Sequence, residues 1–169
     1  MIAQTERLEL RVLDMRDRDW ILELVSGADW IRNIGDRGVR TLADAEAYIS
    51  RIQDSQAKQG FSFYGVYSRA TGEGLGICGL TKRDELPLPD VGFAFLPKCY
   101  RQGYAYEASV AVLAHARRDL GLGEIAAIVS PGNVASIRLL EKLGLKLDSA
   151  FTREFDFRTP ETLHYSRKL

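Results

Sequence analysis

Between residues 7 and 12 apolar and charged positions alternate, with Leu8, Leu10 and Val12 on one side and Arg7, Glu9 and Arg11 on the other. That period of two is the mark of a half-buried strand. Over 17–25 the period lengthens, and Trp20, Ile21, Leu24 and Val25 recur at helical spacing. Residues 26–40 lose any period and are punctuated by glycine, which predicts an irregular crossing. Thr41 with Asp44 three residues later is a capping-box variant. Ala45, Tyr48, Ile49 and Ile52 follow on one face, predicting a helix that ends near Gly60. Residues 61–67 and 74–83 then read as a hairpin through Thr71–Gly72, and 90–96 as a strand bounded by Pro87, Pro89 and Pro97. Residues 124–129 are almost continuously apolar, as in a strand covered on both faces. Between these last two strands, about 103–120, Ala108, Val112, Ala116 and Leu120 form a stripe of mostly small residues, a helix able to lie close on a sheet. A short helix over 133–143 carries Ile137, Leu140 and Leu143 and stops at Gly144. Residues 145–156 and 161–168 close the chain as a pair of strands. The order β-α-α-β-β-β-α-β-α-β-β predicts a mixed α/β (α+β) fold.

Composition narrows the function. At 169 residues the length predicts one domain, spanning 1–169. Lys plus Arg and Asp plus Glu both number 23, so there is no long-range positive field for non-specific nucleic-acid or anionic-membrane binding. Cys78 and Cys99 are too few for a disulfide scaffold and read as two reduced thiols. No apolar run approaches the ~18 residues of a membrane span, and the charged start lacks an apolar leader. A soluble, cytoplasmic chain is expected, a monomer or homodimer.

Two glycine patterns compete for a phosphate. Gly74, Gly76 and Gly79 spell a literal G-x-G-x-x-G, but Pro87 and Pro89 stand where a dinucleotide fingerprint needs a helix, and no acid occurs between Val91 and Tyr106. A glycine-rich hairpin strand with bends or bulges is the better reading. The second pattern follows strand 90–96 and leads straight into the long helix: Lys98-Cys99-Tyr100-Arg101-Gln102-Gly103-Tyr104-Ala105. A helix start exposes unbonded N–H groups and the positive end of the helix dipole. Gly103 and Ala105 keep bulk away so that a pyrophosphate can approach, and Lys98 and Arg101 add positive charge at the rim. An ordinary helix start with two solvated cations is the plainer alternative.

At this loop the sequence resembles the GNAT acetyltransferases, in the branch of the ribosomal-protein N-terminal (alanine/serine) acetyltransferases. Their W-G-x-G-Y-A-T-E-A loop is matched at Gly103, Tyr104, Ala105, Glu107 and Ala108, and departed from at Tyr100, Arg101 and Tyr106. Arg101 stands where the family has a permissive glycine. A second signature, N-x-x-S-x-x-L-L-E-K-L-G-F, runs from Asn133 through Ser136, Leu139, Leu140, Glu141, Lys142, Leu143 and Gly144 to Leu145, with Leu for the last Phe. The opening Glu6-Arg7-Leu8-Glu9-Leu10-Arg11 is similar too, so the resemblance spans nearly the whole chain. It implies a central, mostly antiparallel sheet of about seven strands with one splayed parallel pair and about four flanking helices.

It also implies acetyl-CoA as co-substrate and no metal. Strand 91–96 would splay from 124–129, and the backbone of Phe95 and Leu96 would pair with the pantetheine arm. The amides of Gln102, Gly103, Tyr104 and Ala105 would hold the pyrophosphate, with Asn133 facing the arm from the other side. The implied reaction is direct attack of an amine on the thioester, with N–H groups near Phe95 and Leu96 stabilising the oxyanion. Uncharging a lysine-like amine at pH 7 costs roughly 4.6 kcal/mol, an N-terminal amine only about 1–1.4 kcal/mol. Ser136 matches the serine that would serve the departing thiolate, with first-turn capping as its plainer alternative. Asp90 matches an acidic position suited to a base, acting through water, with a solvated strand start as its alternative. Glu154 and Asp156 are alternative bases, while His115 and His164 read better as packed imidazoles. Two isolated histidines argue against zinc. By analogy, acceptor specificity falls to 29–38, with Trp30, Arg32 and Asn33 the substrate candidates, although core packing explains Trp30 equally well. The resulting expectation is an N-acetyltransferase acting on a protein N-terminus or a small amine. The alternative is a non-catalytic acyl-CoA sensor of the same fold, and a nicotinamide protein built on Gly74–Gly79 is a third reading.

Overall fold

The computed structural model describes residues 1–148 and 162–169 in full, and 153–155 and 159–161 as backbone. Among the described residues fourteen strands and α-helices follow one another: β1 (Ala3–Gln4), β2 (Leu8–Arg11), α1 (Arg18–Ser26), α2 (Ala28–Asn33), α3 (Leu42–Gln59), β3 (Phe63–Ser68), β4 (Gly74–Thr81), β5 (Asp90–Phe95), α4 (Tyr104–Arg118), β6 (Glu124–Val129), α5 (Val134–Lys142), β7 (Lys146–Leu147), β8 (Arg153–Phe155) and β9 (Thr159–Lys168). The sheet runs β1-β2-β3-β4-β5-β6-β9-β7, with β8 paired to β9. All its pairings are antiparallel except β5 with β6.

The expected mixed α/β fold is therefore present, with more pieces than the periodicity suggested. The crossing expected to be irregular over 26–40 contains α2, one short helix between Gly27 and Gly35. The strand expected over 145–156 is two separate pieces, β7 and β8. In β2 the chain leaves the sheet after Arg11, so Leu13, fully buried, joins Leu8 and Leu10 in the core in place of Val12.

Helix starts account for much of the local order. Asp14 and Asp17 form a reciprocal capping box on a 3-10 turn that feeds α1. Thr41 and Asp44 form the predicted one on α3, which ends at Gly60 with φ +79°. Each box satisfies two otherwise orphaned N–H groups. Ala108, Val112 and Ala116 of α4 have no exposure at all, and such small side chains let this helix settle closely on the sheet. On that face Cys78 meets Ser109 and Tyr64 meets His115, while on the other Tyr67 packs edge-on against Trp20 of α1.

The G-x-G-x-x-G stretch lies within β4, a fully paired interior strand. A Cβ on Gly76 would meet the Ala94 carbonyl, and one on Gly79 the Ser62 carbonyl, so these glycines serve close backbone approach. The register shifts between Val66 and Tyr67, opposite Gly76 and Gly74. Gly79→Ala is expected to destabilise the protein by roughly 1–3 kcal/mol, read from its denaturation midpoint, because backbone and not a flexible side chain must yield.

Candidate active site

In the sheet β5 is well paired on one side only. It keeps six register positions with β4, from Asp90 opposite Thr81 to Phe95 opposite Gly76. Towards β6 it keeps one, Asp90 opposite Ala126, where the Ala126 N–H donates to the Pro89 carbonyl at 2.9 Å. Beyond that point the parallel strands diverge. In an antiparallel ladder successive residues turn their backbone groups to alternate sides. The Leu96 N–H donates to the Leu75 carbonyl at 2.9 Å, so the N–H and C=O of Phe93 and Phe95 face the gap. Residues 92–94 are only half-buried although β5 is an interior strand.

This corrects one expectation. Leu96 cannot pair with an arm in the gap, since its N–H goes to Leu75 and its carbonyl accepts from the Cys99 N–H at 2.8 Å. The backbone positions available are Phe93 and Phe95.

The gap belongs to a cleft of about 990 Å³, at the upper end of ligand-site volumes. Its wide end meets the start of α4. There the N–H groups of Gln102, Gly103, Tyr104, Ala105 and Tyr106 have no acceptor among the described residues. Gly103 has φ +80°, and Arg101 has φ +61°, the only non-glycine residue with positive φ among those described. Arg101, which stands where the resemblance implies a glycine, thus occupies a left-handed backbone position that arginine adopts at a steric cost. The loop is held from outside. Arg7 ion-pairs with Glu107 at 2.6 Å, donates to the Gln102 carbonyl at 3.0 Å and covers the Tyr104 ring at 4.7 Å. The Glu107 carboxylate also accepts from the Thr5 hydroxyl and the Arg7 N–H. Burial pushes the Glu107 carboxyl up, and these bonds together bring it below its ordinary value.

Across the gap, Asn133 caps α5, its Oδ1 accepting from the Ser136 N–H at 3.2 Å. Asn133, not Ser136, performs the capping, and both line the cleft. At the narrow end Asp90 is 2% exposed, and the Arg83 Nε donates to its two oxygens at 3.0 and 3.3 Å. Burial outweighs that guanidinium and pushes the Asp90 carboxyl up to about 6. From Asp90 to Phe95 an extended strand spans roughly 16 Å. Trp30, Arg32 and Asn33 also line the cleft. Trp30 is 6% exposed, packs edge-on against Tyr48 at 6.2 Å, and its Nε1 has no partner among the described residues. Arg32 pairs with Asp29, which also accepts from the Tyr100 hydroxyl at 3.0 Å. Tyr100 so ties the loop to α2.

Comparison with known proteins agrees with this geometry. The description "Acetyltransferase (GNAT) domain" matches residues 7–146. The chain is a member of the GNAT acetyltransferase family. Among curated relatives, YoaA of Bacillus subtilis, named an uncharacterized N-acetyltransferase, is 31% identical, the match covering 86% of this chain and 82% of YoaA. The acetyltransferase of Agrobacterium tumefaciens superposes on this GNAT chain with a TM-score of 0.80 at 26% identity, covering 98% and 92% of the two chains. RimL, a ribosomal L7/L12 α-N-protein acetyltransferase solved with coenzyme A, shares the fold at a TM-score of 0.84 and 15% identity, covering 99% and 97%.

Other candidates fall elsewhere. His115, in the last turn of α4, bonds Asp119 at 2.8 Å, packs on Tyr64 and does not line the cleft of this GNAT domain. Asp156 and the Glu154 side chain lie outside the described residues. Arg7 and Glu107 were visible only as motif letters, because a contact across a hundred positions leaves no local signal. The raised Asp90 carboxyl has a consequence for stability. Its contribution is fully present below about pH 4 and is lost as pH rises through about 6. The gap between 3.8 and about 6, at 1.36 kcal/mol per unit, makes this roughly 3 kcal/mol. Asp90→Asn should remove that component from a denaturation series run across pH 4–7.

Proposed function

We propose that this protein is an acetyl-CoA-dependent N-acetyltransferase that moves an acetyl group to a primary amine by direct attack on the thioester. The observation that carries this reading is the unpaired edge of β5 running up to a helix start whose amides have no acceptor. The edge can take an amide-bearing arm as if it were a further strand, and the helix start can take a diphosphate. Phe93 and Phe95 supply the strand contacts. The amides of Gln102, Gly103, Tyr104 and Ala105 supply the anion cradle, with the Arg101 charge at its rim. The thioester supplies the acetyl group and a thiolate leaving group.

The residues at the narrow end then divide the proton work. The ammonium loses a proton to Asp90, through water, and the free amine attacks the carbonyl carbon. A carboxyl near 6 is ionised at neutral pH yet more basic than an ordinary one, which suits a general base. Charge developing on the thioester oxygen meets the free N–H groups of β5. As the C–S bond breaks, the Ser136 hydroxyl hydrogen-bonds to the departing sulfur, and the second proton that the attacking nitrogen loses passes through water to that thiolate, which leaves as the thiol. Asn133 has its Oδ1 committed to the α5 cap and keeps its amide N–H groups for the arm. Trp30, Arg32 and Asn33 wall the acceptor side.

Two measurements test the reading. Calorimetry should show acetyl-CoA binding to the wild type and none to Gly103→Trp, with the variant still folded by circular dichroism. Thiol release should then follow on addition of an amine from a panel of N-terminal peptides and small amines. Binding with no turnover across the panel would favour the sensor reading. In turnover, kcat/KM should rise with pH through about 6, a limb that Asp90→Asn should abolish together with most activity.

A further inference from the structure

The acceptor end of the cleft carries a charge arrangement that a plain amine does not explain. Two arginines from different parts of the chain meet in it, Arg37 from the segment after α2 and Arg83 from the segment after β4, with the exposed Arg51 of α3 close by outside the lining. Arg37 and Arg83 line the cleft with Tyr48, and the Arg51 guanidinium sits over the Tyr48 ring at 5.9 Å. Neighbouring charges are matched. Arg83 pairs with Asp90, Arg32 with Asp29 and Arg40 with Asp36. Arg37 and Arg51 have no carboxylate at ion-pair distance among the described residues. Asp84 and Glu85, next to Arg83 in sequence, do not line the cleft. Partial enclosure lowers the Arg37 guanidinium from its usual value, Tyr48 works against this, and repulsion from Arg83 and Arg51 adds to it. An arginine cannot relieve such repulsion by losing its proton in the working range, so an anion is what relieves it.

We propose that the acceptor is an amine that also bears a carboxylate, which Arg37 receives while the amine is directed to Asp90. This rests on the transferase reading and names its substrate class. A simple ammonium entering here meets net repulsion, whereas a zwitterion brings its own counter-charge. The same positive field favours the neutral form of the amine, which is the form that attacks. The planar guanidinium fork is matched to a carboxylate. Two sources have this chemistry, a free amino acid and a peptide N-terminus followed by an acidic residue.

The test uses matched acceptors: glycine, β-alanine and 4-aminobutyrate against their amides, and dipeptide amides with Asp against Asn in second position. The best carboxylate acceptor should exceed its neutral partner in kcat/KM by about tenfold, the scale of a charge-assisted hydrogen bond. Which series shows the excess identifies the source. Arg37→Gln should bring the ratio close to one and Arg37→Lys should keep part of it, with folding checked by melting temperature and acetyl-CoA affinity. Equal kcat/KM for acids and amides, or an unchanged ratio in Arg37→Gln, overturns the proposal while leaving the transferase reading intact. A second arm needs no turnover: calorimetry of N-acetyl-β-alanine against its amide, titrated into CoA-saturated protein. Selective binding of the acid, lost in Arg37→Gln, with no amine ever acetylated, would sink the transferase reading and keep the anion subsite. No selectivity in either arm removes the subsite.

Discussion

The divergence of β5 from β6 is the constraint on which the site depends. A parallel pair inside a sheet would ordinarily satisfy the backbone groups of both strands, and unsatisfied buried groups are costly. Here β5 keeps its full ladder with β4 and β6 its full ladder with β9, six positions each, so the loss falls on the two edges that face the gap. Phe93 and Phe95 can leave their groups unpaired because the gap opens into the cleft, wide enough for water to reach them. The opening that spares the strand this cost is the same opening that admits a ligand. A side chain is not needed for this recognition, which explains why the strand tolerates Gly92 and Ala94 beside two phenylalanines.

The second element is restraint of the loop beyond β5. Arg101 holds a backbone conformation that arginine disfavours, and such strain persists only where the surroundings over-determine it. The surroundings are identifiable. Arg7 reaches from the start of β2 to the Gln102 carbonyl and to Glu107 in the first turn of α4, and Thr5 closes the cluster from the same side. On the opposite side Tyr100 bonds Asp29 of α2. The loop is thereby fixed between the amino-terminal strands and α2, so its amides are arranged before any anion arrives. Preorganisation of this kind lowers the ordering cost of binding. Tyr100 and Arg101, two of the three departures from the family loop, bear on opposite terms of this balance: one adds a tether, the other adds strain.

Periodicity made the long elements legible, because α3, α4 and the strands from β3 to β6 each bury one face or both and so repeat. It failed where an element is too short to repeat. Six residues of α2 between two glycines, and two residues of β7, have no period to detect. The two motifs brought Gly103 and Asn133 to one cleft, as expected. The availability of individual backbone groups was not legible. Whether Phe95 or Leu96 offers its N–H depends on which neighbour Leu75 faces, a matter of register that no side-chain pattern encodes. The Arg7–Glu107 pair and the meeting of Arg37 with Arg83 are likewise products of topology, since their members are far apart in the chain and look like ordinary surface charge.

Charge along the cleft has an order that fits its chemistry. Open amides and Arg101 occupy the wide end, suited to a diphosphate. Asp90 stands at the narrow end, with Arg37 and Arg83 in the cleft wall and Arg51 just outside it. Asp90 is thus the acid whose environment matters most. Burial raises its carboxyl, while Arg83 limits that rise and keeps the ionised form accessible near neutrality. Without Arg83 the carboxyl would be pushed higher still, towards the protonated form that cannot act as a base. Without the burial it would be too weak a base to help an ammonium. The ion pair and the enclosure act in opposite directions on one group, and the useful basicity lies in their difference.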